Sequence, residues 1–114
     1  MAVILRRGTS LGGVWYNDGV FELLDERDSP TGTVWTLQWI DPEGGLHRSE
    51  LRLAWPDYDV WSPDGGRPPA TIAEAVVRFV LERPEFDPIP EVLDAAMPRR
   101  RTPGADEMIA RLMG

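Results

Sequence analysis

The sequence predicts an α+β fold, in which an N-terminal antiparallel β-meander of four to six strands is packed by one main helix and followed by short C-terminal helices. Two observations support this prediction. The five tryptophans lie at positions 15, 35, 39, 55 and 61, and the 53 residues after the last of them contain none. The strand-like patterns all precede the helix-like ones, whereas a regular alternation of strands and helices is typical of parallel α/β sheets.

The strongest local pattern predicts a β-hairpin near the N terminus. Residues 14–16 and 20–24 are rich in β-branched, aromatic and aliphatic side chains, and Asn17-Asp18-Gly19 lies between them. An Asp-Gly pair adopts the positive φ angles of a type I′ turn, which matches the twist of paired strands. Residues 2–7 are also β-prone and predict a short strand before the hairpin.

A second pair of strands is predicted from alternation and from a turn. In residues 33–40, Trp35, Leu37 and Trp39 share one face, because side chains in a strand alternate with a period of two. The Pro and Gly residues of 41–45 are typical of a turn, and the chain returns through residues 46–55. The second half of that return strand places leucines on the core side. A further short strand is expected at residues 58–61.

The second half of the chain predicts helices. Thr71 and Glu74 have the spacing of a capping box, and an apolar stripe follows that ends before Pro84, which indicates a helix over residues 71–83. A short helix is expected over residues 90–97, and a marginal one over the tail, which packs either on its own domain or on a partner.

These elements define the expected domain organisation. We expect a single α+β domain at 1–97, with strands within 2–61 and helices at 71–83 and 90–97, and an Arg/Pro hinge with a C-terminal helical tail at 98–114.

Composition excludes several classes of chemistry. The chain carries a formal charge of −7, has no cysteine, has one histidine, and all twelve of its basic residues are arginines. It therefore has no thiol nucleophile, no Schiff-base lysine and no Walker-type phosphate loop, and its field repels nucleic-acid phosphates. Arginine without lysine indicates a high-G+C genome, bacterial or phage. We expect a cytoplasmic protein without a membrane span, cofactor or metal.

His47 and Ser49 form the one candidate catalytic pair in the sequence. His47 is the only side chain that titrates near neutrality at its unperturbed pKa, and Ser49 shares its strand face. Side chains two residues apart on a strand are about 7 Å apart, which is too far for a nucleophile to reach its base. A solvated strand histidine is the favoured interpretation, and no catalytic residue is assigned.

Two short segments carry the candidate binding residues. One places aspartates among aromatic side chains, which are favoured at interfaces because they give large contact areas at low entropic cost. The other is the sole basic run, in which each arginine is suited to bidentate contacts with carboxylates. The predicted site comprises Trp55, Asp57, Tyr58, Asp59 and Trp61 in the first segment and Arg99, Arg100 and Arg101 in the second.

The strands from Val14 to Leu53 carry a family resemblance. Tyr16 to Phe21, followed by Trp35 to Asp41, resembles the meander of Tudor and other SH3-like small barrels over 40 residues. The resemblance implies a small open barrel as a variant of the fold, and aromatic side chains that cage a methylated side chain. The three helices predicted after the strands depart from that minimal barrel.

Together these patterns predict a small non-enzymatic protein–protein interaction protein, an adaptor, regulator or assembly component of a bacterium or phage. Its partner is expected to be another protein with a basic surface, and self-association is left open. Direct binding to nucleic acid or to a membrane is not expected. The alternative is an acidic inhibitor or nucleic-acid mimic, such as a phage antagonist or an immunity protein, whose carboxylates occupy a basic groove.

Overall fold

The computed structural model describes residues 14–16 and 19–114, with side chains described from residue 21 onwards. The strand expected at residues 2–7, the turn at residues 17–18 and the side chain of Trp15 lie outside that description. The described strands are β1 (Val14–Tyr16), β2 (Gly19–Ser29), β3 (Gly32–Ile40), β4 (Leu46–Ala54) and β5 (Val92–Asp94). The described helices are α1 (Trp55–Trp61), α2 (Pro69–Leu81), a 3-10 turn (Pro84–Phe86), α3 (Met97–Arg101) and α4 (Ala105–Leu112).

The strands form one sheet in the order β1-β2-β3-β4-β5. The first three pairings are antiparallel and follow the chain order, which confirms the α+β class and the meander. The predicted hairpin is present, since Val14 pairs with Phe21 and Tyr16 with Gly19. Strand β5 adds to the edge of β4 in parallel.

One face of the sheet forms the hydrophobic core, as the alternation predicted. On β3, Trp35 and Leu37 are buried, and on β4 so are Leu51 and Leu53. Helices α2 and α4 supply the other side of this core. Its helical members include Ile72, Val76, Val80 and Ile109. We call the opposite side of the sheet, which bears Val34 and Arg52, the outer face.

Strand β2 contains a β-bulge that changes which of its side chains face the core. Leu24 pairs with Thr36 but Arg27 pairs with Val34, so two residues, Asp25 and Glu26, face one residue of β3. Asp25 adopts φ 56°, in the left-handed region that Asp tolerates better than most residues. The bulge also lets the carboxylate of Glu26 accept a hydrogen bond of 2.9 Å from the indole N–H of the buried Trp35.

The strand predicted at residues 58–61 is wrong, because these residues belong to helix α1. Pro56 lies in the first turn of α1, where its missing N–H costs nothing and its fixed φ favours a helix. The N–H of Trp55 is bound by the carbonyl of Thr31 at 3.0 Å, which anchors the start of the helix to the β2–β3 turn. Trp55, Tyr58 and Trp61 are three residues apart, which is a helical spacing and not the alternation of a strand.

The predicted main helix is present, but it begins earlier and lacks the capping box. Helix α2 starts at Pro69, Pro68 occupies the N-cap, and no side chain caps the helix. Thr71 therefore lies inside the first turn, and its N–H binds the carbonyl of Pro68. The two prolines impose the helix start because their fixed φ angles are already suited to it.

The helix predicted at residues 90–97 is also wrong, because its middle is strand β5 and a helix begins only at Met97. Backbone hydrogen bonds hold both ends of this segment against the edge of β4. The N–H of Glu50 donates to the carbonyl of Glu91, and the N–H of Ala95 donates to the carbonyl of Arg52. A short isolated helix is marginal in water, so these hydrogen bonds to a formed sheet outweigh its helix propensity. The arginine run, expected as a hinge, is in α3.

The tail helix is present as α4 and packs on its own chain. Ala105 and Ile109 are buried in the same core as the sheet residues. The apolar stripe of α4 is thus occupied within the molecule. No helix in residues 14–16 and 19–114 is long and apolar enough to cross a membrane.

Candidate functional site

The two segments predicted to bind a partner meet in three dimensions. The guanidinium of Arg99 on α3 donates from Nη1 to Oδ1 of Asp57 on α1 at 2.8 Å. The same guanidinium donates from Nε to Oδ2 of Asp106 on α4 at 2.9 Å. One arginine therefore joins three helices. We call the side of the molecule formed by α1 and α3 the α1–α3 surface.

The charge of Arg99 is held in place by its two partners. Hydrogen bonds to Asp106 and to Asp57 raise the pKa of Arg99 above its ordinary value. The guanidinium also lies 5.7 Å from the ring centre of Trp61, within the range of a cation–π contact. Arg99 acts here as a structural cross-link, since both of its carboxylate partners come from its own chain.

The aromatic side chains of α1 differ in how much they offer to a partner. Trp61 is buried, and its indole N–H donates to the carbonyl of Asp106 at 3.1 Å. Trp55 and Tyr58 are half-buried and meet edge to face, with ring centres 5.9 Å apart. The hydroxyl of Tyr58 donates to the carbonyl of Arg67 at 2.6 Å. Trp61 is thus a core residue, and Trp55 and Tyr58 expose only part of their rings.

Three side chains of α1 are exposed, those of Pro56, Asp59 and Val60. The side chain of Val60 is 49% exposed, which is unusual for an aliphatic residue on a helix whose other face is packed. Asp59 is exposed, and its side chain has no hydrogen bond or ion pair with the described residues. Asp59 and Val60 place an acidic and an aliphatic side chain next to each other on the exposed side of α1.

Two predicted site residues remain, Arg100 and Arg101, and Asp64, which is not a predicted site residue, lies in the loop that follows α1. Asp64 accepts the N–H of Gly66, and this backbone hydrogen bond lowers the pKa of Asp64 below its ordinary value. Arg101 donates to the carbonyl of Glu85 at 3.3 Å. Arg100 is exposed and pairs with none of the residues that the structure describes.

The histidine and serine of β4 are not brought together as a catalytic pair. His47 lies 2.7 Å from the carboxylate of Asp41 and stacks on Trp39. The hydrogen bond to His47 and the N–H of Gly45 lower the pKa of Asp41. Ser49 instead donates to the carbonyl of Pro90 at 2.6 Å, which fixes the approach to β5. Within residues 21–114, no three acidic or histidine side chains are grouped as metal ligands.

Asp106 is the residue of this surface that the sequence did not reveal. It lies in the first turn of α4, where an acidic side chain is favoured by the helix dipole, so its type alone indicates only a helix start. Its pairing with Arg99 depends on how α3 and α4 pack.

No protein-family model, no curated protein and no solved structure matches this chain.

Proposed function

We propose that this chain is a small, non-enzymatic, cytoplasmic protein of a bacterium or phage that binds another protein through the α1–α3 surface. The observation that carries the proposal is the pairing of a free acid, Asp59, with a half-exposed aliphatic residue, Val60, on a short helix. Interfaces commonly combine an apolar contact with charges that guide the partner's approach. A partner with a basic patch beside an apolar pocket fits this pair.

The helix that presents these side chains is held on both of its flanks. Arg99 binds Asp57 on one flank, and the hydroxyl of Tyr58 binds the loop at Arg67 on the other. A helix held in this way loses little conformational entropy when a partner binds, which supports its use as a rigid contact surface.

The first experiment uses two α1 substitutions and a matched acidic control. The wild-type chain is immobilised and used to capture partners from a bacterial lysate, which mass spectrometry identifies, and affinities are then measured with the purified partner. Asp59→Arg combined with Val60→Asp should weaken binding at least tenfold, or about 1.4 kcal/mol. Glu107→Arg alters an exposed acid on α4 and should change the affinity less than twofold. Equal affinities for the wild type, the α1 variant and the Glu107 variant would show that the partner does not bind through Asp59 and Val60.

The alternative function is an acidic inhibitor whose carboxylates occupy a basic, nucleic-acid-binding groove. The charge of −7 and the free carboxylate of Asp59 favour it. Asp59→Asn with Asp64→Asn tests this alternative, because Asn keeps the acceptor that closes the loop at Gly66. A tenfold loss of affinity in that variant, with no loss in Val60→Ala and with strong salt dependence, would favour charge mimicry over mixed recognition.

Two further proposals concern the barrel variant of the fold and self-association. An SH3-like barrel is the proposed variant of the fold, but its aromatic cage is not proposed, because Trp35 and Trp39 are buried in the core. Self-association is tested by light scattering across a dilution series, in which a mass that falls on dilution identifies a second copy as the partner.

A further inference from the structure

The outer face of the sheet carries most of the large apolar side chains that are exposed to solvent. Four such side chains are exposed among the described residues, and one of them is Val60 of α1. The other three lie on the outer face: Ile40 is 37% exposed, Leu46 is 61% exposed and Val92 is 45% exposed. Ile40 and Leu46 are cross-strand partners, so they form one apolar contact at the end of the β3–β4 hairpin. The buried side chains of the described helices belong to the core on the opposite side of the sheet.

The charges of the outer face balance, although those of the whole chain do not. Cross-strand pairing places three acidic and three basic side chains on this face, namely Glu22, Glu50, Asp94, Arg27, Arg48 and Arg52. Their sum is zero, so the formal charge of −7 belongs to the rest of the chain. Two copies of an acidic protein repel each other in most orientations, and this face lets them meet without a net repulsion between like charges.

The order of charges along β4 is complementary to itself. Arg48 and Glu50 lie two residues apart on the outer face, at a distance of about 7 Å along the strand. Consider a two-fold axis between two outer faces, perpendicular to the strands and midway between these residues. It brings Arg48 of each copy opposite Glu50 of the other, so one interface contains the pair twice.

The same axis places apolar groups against each other at both ends of the contact. From the register of β3 and β4, it brings Ile40 opposite Val34 of the second copy. It brings Leu46 opposite Arg52, whose methylene chain covers apolar surface while its guanidinium stays in water. On these two strands, therefore, no side chain meets a like charge.

Arg48 and Glu50 retain the hydrogen-bonding groups that such a contact needs. Arg48 donates from Nε to Oε1 of the neutral Gln38 at 2.9 Å, and its terminal nitrogens have no partner among the described residues. Glu50 accepts from Arg52 through Oε2, and its Oε1 has no partner in the described part of the chain. A charge-assisted hydrogen bond between Arg48 and Glu50 of two copies thus forms without breaking a contact within either copy.

The size of the outer face suits a weak and reversible dimer. Three strands of nine or more residues, with β5 beside them, cover roughly 480 Å² at the strand spacings of a sheet. Two such faces bury about 1,000 Å² in total, which is the lower limit of specific interfaces.

We propose that this chain forms a symmetric dimer through the outer faces of two copies, centred on the two reciprocal Arg48–Glu50 pairs. A neutral face of alternating charges fits a second copy better than it fits a strongly basic or strongly acidic partner, because either of those would meet as many like charges as opposite ones. The dimer goes beyond the α1–α3 surface and uses none of its residues.

The first test measures the mass of the full-length chain by sedimentation equilibrium from about 5 to about 500 µM. The apparent mass should rise from 12.8 kDa towards twice that value, with a Kd on the order of 100 µM. Arg48→Glu should weaken the dimer at least tenfold, because both reciprocal pairs become repulsive. Arg48→Glu combined with Glu50→Arg should restore the Kd to within about threefold of the wild type.

The matched control is Arg111→Glu, which changes the net charge by the same amount at an exposed position on α4. Its Kd should stay within twofold of the wild type.

A second test needs no substitution. Gln38 is the cross-strand partner of Arg48 and lies beside the proposed axis, and it is the only glutamine of the sequence, which also has a single asparagine. The side-chain amide resonances of Gln38 should therefore be resolved by NMR and should shift as the wild-type chain is diluted.

Four outcomes would overturn the dimer. They are a mass of 12.8 kDa at every concentration, equal losses in Arg48→Glu and Arg111→Glu, no recovery in the charge-swapped chain, and a mass that rises while the Gln38 amide stays unchanged. The last of these would assign self-association to another surface. Failure here leaves the Asp59 and Val60 experiment unaffected, since that experiment measures a different partner at different residues.

Discussion

Two arginines on opposite sides of this molecule illustrate different uses of the same side chain. Arg99 sits between the carboxylates of Asp57 and Asp106, and its pKa is raised by both. Arg27 lies on the outer face of the bulged strand β2, and its side chain forms no hydrogen bond or ion pair with the described residues. Both arginines are exposed, so solvent exposure does not distinguish them. Their contacts distinguish a cross-link between helices from an exposed side chain that has no hydrogen bond or ion pair with the described residues.

The comparison extends to the backbone of the two regions. At the start of β3, Gly32 lies so close to β4 that a Cβ atom would come 2.2 Å from the carbonyl oxygen of Leu53. In the loop after α1, the nearest atom to a Cβ on Gly66 would be a carboxylate oxygen of Asp64, at 3.3 Å. The junction of β3 and β4 is thus closed by backbone atoms, whereas the loop after α1 has more space around its glycine.

The largest expected effect follows from that difference. Gly32→Val should lower the free energy of unfolding by about 3 kcal/mol, because backbone atoms of a central strand cannot move aside. Gly66→Ala should change it by less than about 0.5 kcal/mol, since the carboxylate of Asp64 needs to shift only slightly to accept a Cβ atom. Urea denaturation followed by tryptophan fluorescence measures both. Similar free energies of unfolding for the two variants would show that β3 and β4 can move apart at Gly32 without a large loss of stability.

A smaller effect separates the two arginines. Arg99→Ala should lower the free energy of unfolding by about 1 kcal/mol, because two carboxylates lose their shared partner, although much of the site remains in contact with water. Arg27→Ala should leave the free energy within about 0.5 kcal/mol of the wild type. Equal losses in the same urea experiment would contradict the distinction between cross-link and free charge.

The smallest expected effect concerns Glu74 on α2, whose pKa is raised above its ordinary value of 4.5 by burial, with Arg78 opposing the shift. A carboxyl group with a folded-state pKa above its unfolded value favours folding fully only at low pH, and that contribution is lost as the pH rises through the folded pKa. Glu74→Gln should therefore raise the melting temperature relative to the wild type near pH 7, and the difference should vanish below pH 4. Thermal scans of both chains across this range measure the difference directly. A constant difference at all pH values would assign the effect to packing instead of ionisation.

The local sequence pattern predicted the structure correctly where burial of apolar side chains alone decides the conformation. The period-two alternation of Trp35, Leu37 and Trp39 predicted the buried face of β3, because one face of a half-buried sheet must be apolar. The same reasoning placed Leu51 and Leu53 in the core. The apolar stripe before Pro84 predicted most of α2, although the prolines at 68 and 69 set its start.

Long-range contacts decided the remaining elements and the candidate sites. Residues 58–61 and 92–94 are short, and short segments take the conformation that completes a neighbour's hydrogen bonds: Thr31 starts α1, and the edge of β4 captures β5. The pairing of Arg99 with Asp57 joins residues 42 positions apart, and no spacing rule connects them. The bulge that turns Arg27 outward depends on the register of β2 against β3. Composition and alternation therefore determine what must be buried in this protein, whereas the packing of strands and helices determines which charges are neutralised and which remain available to a partner.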